Sequence, residues 1–228
     1  MVHQRTGRTM QFDGLANARD LGGLRRADGA LTPHGVFFRS DNVDRLSSGG
    51  WDAVQSAGIR TIVDLRRPEE RERDTSRRPD RVSTVAVDLD GLENRQFWTD
   101  YWDNGLVGTA LYYLPYLQAM PDRAVAALSA IVSAPAGGVL FHCMGGRDRT
   151  GLIAMLLLAA IDVDATEIVD DYLETVRRGD LRAAAVNGTN DEAGIEALCR
   201  RHGTSTTDAF ADAVRGLDLE RVLTDGGE

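Results

Sequence analysis

His142 to Gly151 reads HCMGGRDRTG, and an apolar run stands on either side of it. The short run before it, 139–141, is typical of a buried strand, and the longer run after it, 152–161, is typical of a helix. The stretch therefore predicts a strand, a turn with two glycines and the start of a helix. Free backbone N–H groups at the beginning of a helix, together with the helix dipole, make such a turn an anion site.

Cys143 and Arg149 give this turn its predicted chemistry. Arg149 follows Cys143 by six residues and can fold back over the turn, where its fork of N–H donors fits two phosphate oxygens. Cys143 stands where an attacking atom should be, and the positive field that binds phosphate also stabilises a thiolate. Gly145 and Gly146 let the backbone approach a ligand closely because they carry no Cβ. The predicted phosphate-binding residues are Met144, Gly145, Gly146, Arg147, Asp148 and Arg149.

These residues resemble a known motif. Cys143 and Arg149, followed by Thr and Gly, resemble the phosphate loop of cysteine-dependent tyrosine and dual-specificity phosphatases, and the full stretch is similar to the HC-x-x-GKDRTG loop of their bacterial and fungal branch. NARDLGG at 17–23 and VDLR at 63–66 are similar to two other segments of that branch. The resemblance implies a phosphatase-like α/β fold and hydrolysis of a phosphate monoester through a phosphocysteine. Neither a metal nor another cofactor is expected, because an arginine and backbone dipoles supply the electrostatic stabilisation.

Several other residues are predicted to support the loop. His142 and Thr150 flank it, and the Thr150 hydroxyl is expected to face the thiolate. Arg19 and Asp20 either form a structural turn or order the loop from behind. Residues 66–81 are rich in charge and are expected to be solvated, with contact of Arg66 or Arg67 to a substrate phosphate as the alternative.

A general acid should protonate the leaving oxygen. The Trp-Pro-Asp loop of many tyrosine phosphatases is absent, and its echo at 120–122 is interpreted as a helix cap. Asp64 is the first candidate because it ends a predicted strand, 59–65, and matches the DLR segment of the branch. Asp148, inside the loop, is the second candidate.

Arg147 stands where the branch has Lys, and all 26 basic residues of the chain are Arg. Arg keeps the positive charge but lacks the compact ammonium group, which weakens the expectation that phosphoinositides are substrates. Phosphotyrosine is the preferred substrate, and a phosphorylated metabolite, nucleotide or phosphoinositide is the alternative. A non-catalytic phosphate-binding module and a rhodanese-like sulfur carrier are alternatives from other classes.

Composition limits the expected number of domains, the partners and the location of the protein. The 228 residues, 43% of them hydrophobic, predict one domain over 14–228 and a flexible N-terminal segment over 1–13. A net charge of −9 disfavours nucleic acid and anionic membranes as partners. No secretory signal or membrane-spanning run is recognised, so a cytoplasmic protein is expected. Cys199 is expected on an apolar helix face, with a redox pairing to Cys143 as the alternative.

The order of the elements predicts an α/β fold with a mostly parallel central sheet, flanking helices and a helical C-terminal region. Residues 92–120 hold half of the aromatic side chains of the chain, including two of its three Trp and four of its five Tyr, and are expected to be helical. They form either an ordinary part of the core or a lid-like insertion over the site, as the resemblance implies. The expected strands are 36–40, 59–65, 82–89 and 139–141.

Overall fold

The computed structural model describes residues 7–74 and 76–227. Its strands are β1 (Arg19–Asp20), β2 (Phe37–Ser40), β3 (Ile59–Asp64), β4 (Ser83–Ala86) and β5 (Gly138–His142). They form one sheet in the order β1-β2-β5-β3-β4. Only the β1–β2 pair is antiparallel among these neighbours. The mostly parallel sheet expected from the sequence is therefore confirmed.

Helices cover both faces of the sheet and make up the C-terminal region. They are α1 (Ser48–Ser56), α2 (Pro68–Arg71), α3 (Arg95–Trp102), α4 (Tyr113–Ala119), α5 (Pro121–Val132), α6 (Asp148–Ala160), α7 (Ala165–Arg177), α8 (Gly179–Ala185), α9 (Glu192–Arg201), α10 (Thr206–Arg215) and α11 (Leu219–Gly226). Within residues 7–74 and 76–227, no helix has both the length and the apolar character needed to cross a bilayer.

The central strand β5 packs on both of its faces. Successive side chains of a strand point to opposite sides, and Val139 and Phe141 enter the larger core while Leu140 enters the smaller one. The smaller core includes Trp51 and Val54 of α1. A strand that is covered on both faces is apolar throughout, which explains why the short run at 139–141 could be recognised as a strand. Its carboxyl end therefore lies at the middle of the sheet edge.

The helix α6 follows β5 after a turn, as predicted. Its residues from Thr150 to Leu158 are all buried, because the helix lies inside the larger core and is apolar all round. The turn between these two buried elements is held at both ends, which fixes the position of the predicted site.

The strand β4 is shorter than expected. It ends at Ala86 rather than at residue 89, and its four residues are exposed, as is typical of an edge strand. Residues 87–91 therefore leave the sheet at its carboxyl edge, on the same side as the turn after β5. This displacement brings the carboxylate of Asp90 into the candidate site.

The N-terminal segment differs in part from the prediction of a flexible stretch over 1–13. Residues 1–6 lie outside the described residues. Phe12 is buried in the smaller core, Thr9 forms a β-bridge with Arg19, and Arg8 bonds to Asp171. Residues 8–12 are thus packed on the fold through contacts with distant residues, which their local sequence did not indicate.

Residues 92–120 are helical, as expected for the insertion, and include two 3-10 turns between α3 and α4. Most of their aromatic rings are buried in the larger core and meet edge to face or tilted. The side chains of Phe97, Trp98, Tyr112, Tyr113 and Tyr116 share this environment. The structure therefore agrees with the first alternative, in which these rings are core contacts.

Candidate active site

The turn after β5 and the first residues of α6 form what we call the 143–149 loop. Gly146 adopts a φ of +64°, in the left-handed region that glycine tolerates. A Cβ at this position would also collide with the carbonyl oxygen of Ser40 in β2. Gly146 is therefore required for both the conformation and the close packing of the loop. Cys143 is the first residue of the loop and is 3% exposed.

The backbone N–H groups of this loop and its backbone carbonyl groups differ in their hydrogen bonding. Within the described chain, none of the N–H groups of residues 144–150 donates to a protein acceptor, and the first helical bond runs from Gly151 N to Arg147 O at 2.8 Å. The carbonyl groups, in contrast, are bonded to the surrounding structure. The donors are Asn42 N to Met144 O at 3.0 Å, Asn17 Nδ2 to Gly146 O at 3.0 Å, Arg39 Nη2 to Gly146 O at 2.9 Å, and the Tyr113 hydroxyl to Asp148 O at 2.7 Å. This arrangement leaves the amides of one short loop available to an anion.

An arginine cluster, which comprises Arg8, Arg19, Arg39 and Asp171, holds the loop from behind. Arg19 Nε lies 2.9 Å from Asp171 Oδ1, and Arg39 Nη1 lies 2.7 Å from Asp171 Oδ2. Arg39 also reaches Gly146 O directly. Three arginines face one carboxylate, so the cluster carries excess positive charge next to the loop. That charge favours a bound anion at the loop.

Arg19 acts on the loop through a neighbour. Its Nη1 donates to Asn17 Oδ1 at 2.7 Å, which turns the Asn17 amide nitrogen towards Gly146 O. Burial and the charge of Arg39 lower the pKa of Arg19 to about 9, although Asp171 opposes this. Asp20 instead bonds His34 and the backbone N–H groups of two glycines, Gly22 and Gly35. Of the two roles considered for this segment, Arg19 orders the loop from behind and Asp20 belongs to a structural turn.

We expect Asp171→Asn to lower the free energy of unfolding by about 3 kcal/mol, because it leaves three buried arginines without a counter-charge. The loop carbonyls would lose their fixed donors, and we expect kcat/KM to fall by about 10- to 100-fold. Urea unfolding and steady-state kinetics measure both. Asp170→Asn is the matched control: its side chain is exposed and pairs with the exposed Arg177, so stability should change by less than about 0.5 kcal/mol. Equal effects of the two substitutions would contradict this role for Asp171.

The Arg149 side chain is held by two carboxylates, those of Glu70 and Asp90, instead of pointing into bulk water. Its side chain is 15% exposed, and its fork binds Glu70, with Nη1–Oε2 at 2.6 Å and Nη2–Oε1 at 2.9 Å. Its Nη1 is also 3.0 Å from Asp90 Oδ2. Burial opposes the charged form, but the hydrogen bond with Glu70 and the charge of Cys143 raise the pKa of Arg149 well above its ordinary value. The fork predicted to bind phosphate oxygens therefore binds the two oxygens of a carboxylate here.

Asp64 lies at the end of β3, as predicted, but the structure does not support it as the general acid. Its side chain is 1% exposed, and it accepts hydrogen bonds from Arg66 Nε at 2.9 Å and Arg66 Nη2 at 2.7 Å. Burial raises the pKa of Asp64, but the bond from Arg66 and the charge of His142 outweigh it and lower the pKa. A buried, paired and ionised carboxylate has no proton to give.

Arg66 is equally unsuited to its predicted contact with substrate. Its guanidinium is buried and bonds to both Asp64 and Asp44. The expectation of a solvated side chain is also wrong, because the local ion pairs draw Arg66 inward. It stabilises the end of β3 and does not reach the 143–149 loop.

Arg147 contributes its backbone to the loop, whereas its side chain is directed elsewhere. The guanidinium bonds Glu192 through Nε at 2.8 Å and Nη2 at 2.9 Å, and bonds Gly108 O through Nη1 at 2.6 Å. It thereby ties α9 and the helical insertion to the loop. Its Nη1 is also 2.9 Å from Asp148 Oδ1, and the Asp148 side chain is 33% exposed. Asp148 thus lies at the rim of the candidate site.

His142 and Thr150 flank the loop without bonding the sulfur. Burial lowers the pKa of His142 to about 4, so its ring is neutral, and its Nδ1 is 3.0 Å from Cys143 O. The Thr150 hydroxyl is buried and has no hydrogen-bond partner in the described part of the chain. The expected contact of this hydroxyl with the thiol is therefore not formed in this structure.

A cleft of about 390 Å³ opens beside the loop. Met144 and Gly145 line it together with Arg45 and Arg182. The Met144 side chain is exposed at this mouth. The cleft therefore lies beside the first residues of the loop.

Sequence reasoning missed the residues that reach the site from distant segments. Glu70 is one of many charged residues at 66–81. The only feature that distinguishes it is its position three residues after the N-cap of α2. Asp90 follows β4 at the carboxyl edge of the sheet, where α/β folds place their sites, but the expected strand ran to residue 89. Asp171 and Arg39 carried no signal that linked them to the loop, and Asn17, which begins the NARDLGG segment, was interpreted only as part of a structural turn.

The chain is similar to proteins of one family. A family model described as "Tyrosine phosphatase family" matches residues 10–219. A relative from Cupriavidus necator named "Putative tyrosine-protein phosphatase" is 33% identical over 175 residues, which are 74% of this chain and 63% of that protein. A tyrosine-protein phosphatase of Nostoc commune is 32% identical over 145 residues, which are 61% of this chain and 48% of the relative. The triple specificity protein phosphatase PtpB of Mycobacterium tuberculosis is 29% identical over 192 residues, 72% of this chain and 68% of PtpB.

Among solved structures, the chain is similar to TpbA of P. aeruginosa, with a TM-score of 0.38 and 16% identity over 85% of this chain and 87% of that one. The chain spans less than two thirds of the length of the first two curated relatives. The family match, in contrast, extends over nearly the whole chain and includes the 143–149 loop. This chain belongs to the tyrosine phosphatase family.

Proposed function

We propose that this protein hydrolyses phosphate monoesters through a phosphocysteine intermediate on Cys143. The observation that carries the proposal is the orientation of the 143–149 loop, whose carbonyl groups are bonded outward and whose N–H groups have no acceptor within residues 7–74 and 76–227. Such a set of fixed donors suits three oxygens that gain negative charge in a transition state. Arg149, whose fork already holds a carboxylate bidentately, adds a bidentate donor.

The reaction takes two steps. The Cys143 thiolate attacks phosphorus in line as the bond to the ester oxygen breaks, and that oxygen leaves with a proton from a general acid. The loop amides and Arg149 hold the three non-bridging oxygens throughout. In the second step a water attacks the phosphocysteine, the P–S bond breaks, and inorganic phosphate leaves the regenerated thiolate.

Phosphotyrosine is the substrate we propose, on the basis of family membership and the names of the relatives. A small phosphorylated metabolite, nucleotide or phosphoinositide is the alternative. The excess positive charge of the arginine cluster suits any of these anions. A non-catalytic binding module and a sulfur carrier are less favoured, because neither needs a buried arginine fork that binds two oxygens together with a neighbouring carboxylate, Asp90.

We expect phosphotyrosine peptides to give the highest kcat/KM in a panel with phosphoinositides, nucleoside monophosphates and sugar phosphates. The leaving phenol is the least basic of the alcohols in this panel, and its ring can lie in the cleft beside Met144. Release of inorganic phosphate measures turnover for all classes under one condition. A higher kcat/KM for another class would change the proposed substrate but leave the proposed reaction unchanged. An absence of turnover with every class in the panel would contradict the proposed reaction.

A further inference from the structure

Asp90 is a carboxylate of the site that none of the sequence motifs includes. Its Oδ2 lies 3.0 Å from Arg149 Nη1 and 3.3 Å from Arg67 Nε. Its side chain is 11% exposed, so it is largely removed from solvent yet not sealed. Asp90 therefore lies beside the guanidinium that the proposed function assigns to the phosphate.

The backbone around Asp90 is fixed by the helical insertion and by α5. Arg123 Nη1 donates to Asp88 O at 2.8 Å, the Tyr116 hydroxyl donates to Leu89 O, and Trp98 Nε1 donates to Asp90 O at 2.7 Å. Three consecutive carbonyl groups are thus each held by a side chain from a helix. The buried aromatic residues of 92–120 thereby position a carboxylate at the edge of the site, which gives that insertion a role besides packing.

Glu70 and Asp90 both contact Arg149, but their environments favour different protonation states. Burial opposes ionisation of Glu70, yet the hydrogen bond and charge of Arg149 outweigh it and lower the pKa of Glu70 to about 2. Burial raises the pKa of Asp90 to about 6, against the charge of Arg149 and with the help of the charge of Glu70. Two carboxylates with opposite shifts have different chemical roles. The groups that face Asp90 are Arg149, Glu70, Arg67, Asp88, Tyr112 and Tyr116.

We propose that Asp90 is the general acid that protonates the leaving oxygen, an assignment that rests on the proposed phosphatase function. As the P–O bond breaks, the Asp90 carboxyl proton moves to the ester oxygen and the leaving group departs as a neutral alcohol or phenol. The ionised Asp90 then takes a proton from the water that attacks the phosphocysteine. Both Asp90 and Cys143 return to their starting states, so the cycle is balanced.

Substrate binding assists this role. A phosphate dianion that displaces Glu70 from the Arg149 fork brings more negative charge to the neighbourhood of Asp90 than Glu70 did. Added negative charge favours the protonated carboxyl. Asp148 has no comparable environment, because its side chain is more exposed and pairs with Arg147.

The test compares two aryl phosphates with Asp90→Asn. Phenyl phosphate releases a phenol with a pKa of about 10, which needs a proton on departure, whereas 2,4-dinitrophenyl phosphate releases a weakly basic phenolate. We expect Asp90→Asn to lower kcat/KM by about 100-fold or more with phenyl phosphate and by less than about tenfold with the dinitrophenyl ester. For phenyl phosphate, the alkaline limb of the pH profile of kcat/KM, which arises as Asp90 loses its proton, should be lost in the variant.

Asp170→Asn is the control, since its exposed side chain pairs with the exposed Arg177 and does not contact Asp90, and it should show neither change. Equal losses of kcat/KM with both esters in Asp90→Asn would mean a structural role and would overturn the assignment. So would unchanged turnover of phenyl phosphate, or the selective loss appearing in Asp148→Asn instead. If the unsubstituted protein hydrolysed neither ester, the proposed function itself would fail, which is a distinguishable result.

Discussion

Cys143→Ser is expected to lower turnover by at least about 10⁴-fold while phosphate binding persists. The thiolate is the attacking group, and a neutral serine hydroxyl at the same place lacks a base that could activate it. His142, the adjacent imidazole, bonds the carbonyl of Cys143 and not its sulfur. The loop amides and Arg149 do not depend on the sulfur for their positions, so the anion site should survive.

Two measurements separate chemistry from binding in this variant. Steady-state kinetics report turnover, and isothermal titration with inorganic phosphate reports the anion site. Cys199→Ser is the control, because Cys199 is buried in α9 against Thr206 and lies outside the 143–149 loop. Cys199→Ser should retain wild-type kcat. Wild-type activity in Cys143→Ser would rule out the phosphocysteine, and loss of phosphate binding would show that the sulfur holds the loop together.

Arg149→Lys is expected to lower kcat/KM by about 10³-fold, although it keeps the positive charge. An ammonium group cannot make two parallel hydrogen bonds, and the structure shows that the Arg149 fork makes such a pair with a carboxylate. The lost hydrogen bonds go to oxygens that gain charge in the transition state. The substitution should therefore lower kcat more than it changes KM. A variant with wild-type kcat/KM would mean that charge alone suffices and that the fork geometry has no catalytic importance.

Glu70→Gln tests the same contact from the other side. Ionised Glu70 occupies the fork that phosphate needs, so a substrate must displace it before it can bind. Removal of the negative charge should therefore tighten binding of inorganic phosphate by up to about tenfold. Weaker phosphate binding in Glu70→Gln would indicate that Glu70 positions Arg149 for the substrate and does not compete with it.

The parts of the fold that were predicted correctly are encoded locally. β5, the two glycines and α6 follow one another within 23 residues, and each leaves a pattern in the sequence: a short apolar run, a turn and a longer apolar run. The position of Cys143 at the end of a central strand follows directly from these patterns. The antiparallel β1 was beyond such reasoning, because two residues carry no periodicity.

The site residues that were missed depend on contacts between distant segments. Arg39 and Asp171 are 132 residues apart, and Glu70 and Arg149 are 79 apart. Their roles arise only when the sheet brings its strand ends together. Asp64 shows the opposite error: its place at a strand end was predicted correctly, but its ion pair with Arg66, two residues away, keeps it ionised and excludes the acid role.

Direct capture of the intermediate tests the central claim. The protein is mixed with a substrate that carries a radiolabelled phosphoryl group, quenched during turnover and digested, and the labelled peptide is identified by mass spectrometry. The account predicts label on the peptide that contains Cys143, attached through sulfur and absent from Cys143→Ser. Turnover without protein-bound label, or label on any other residue, would contradict it.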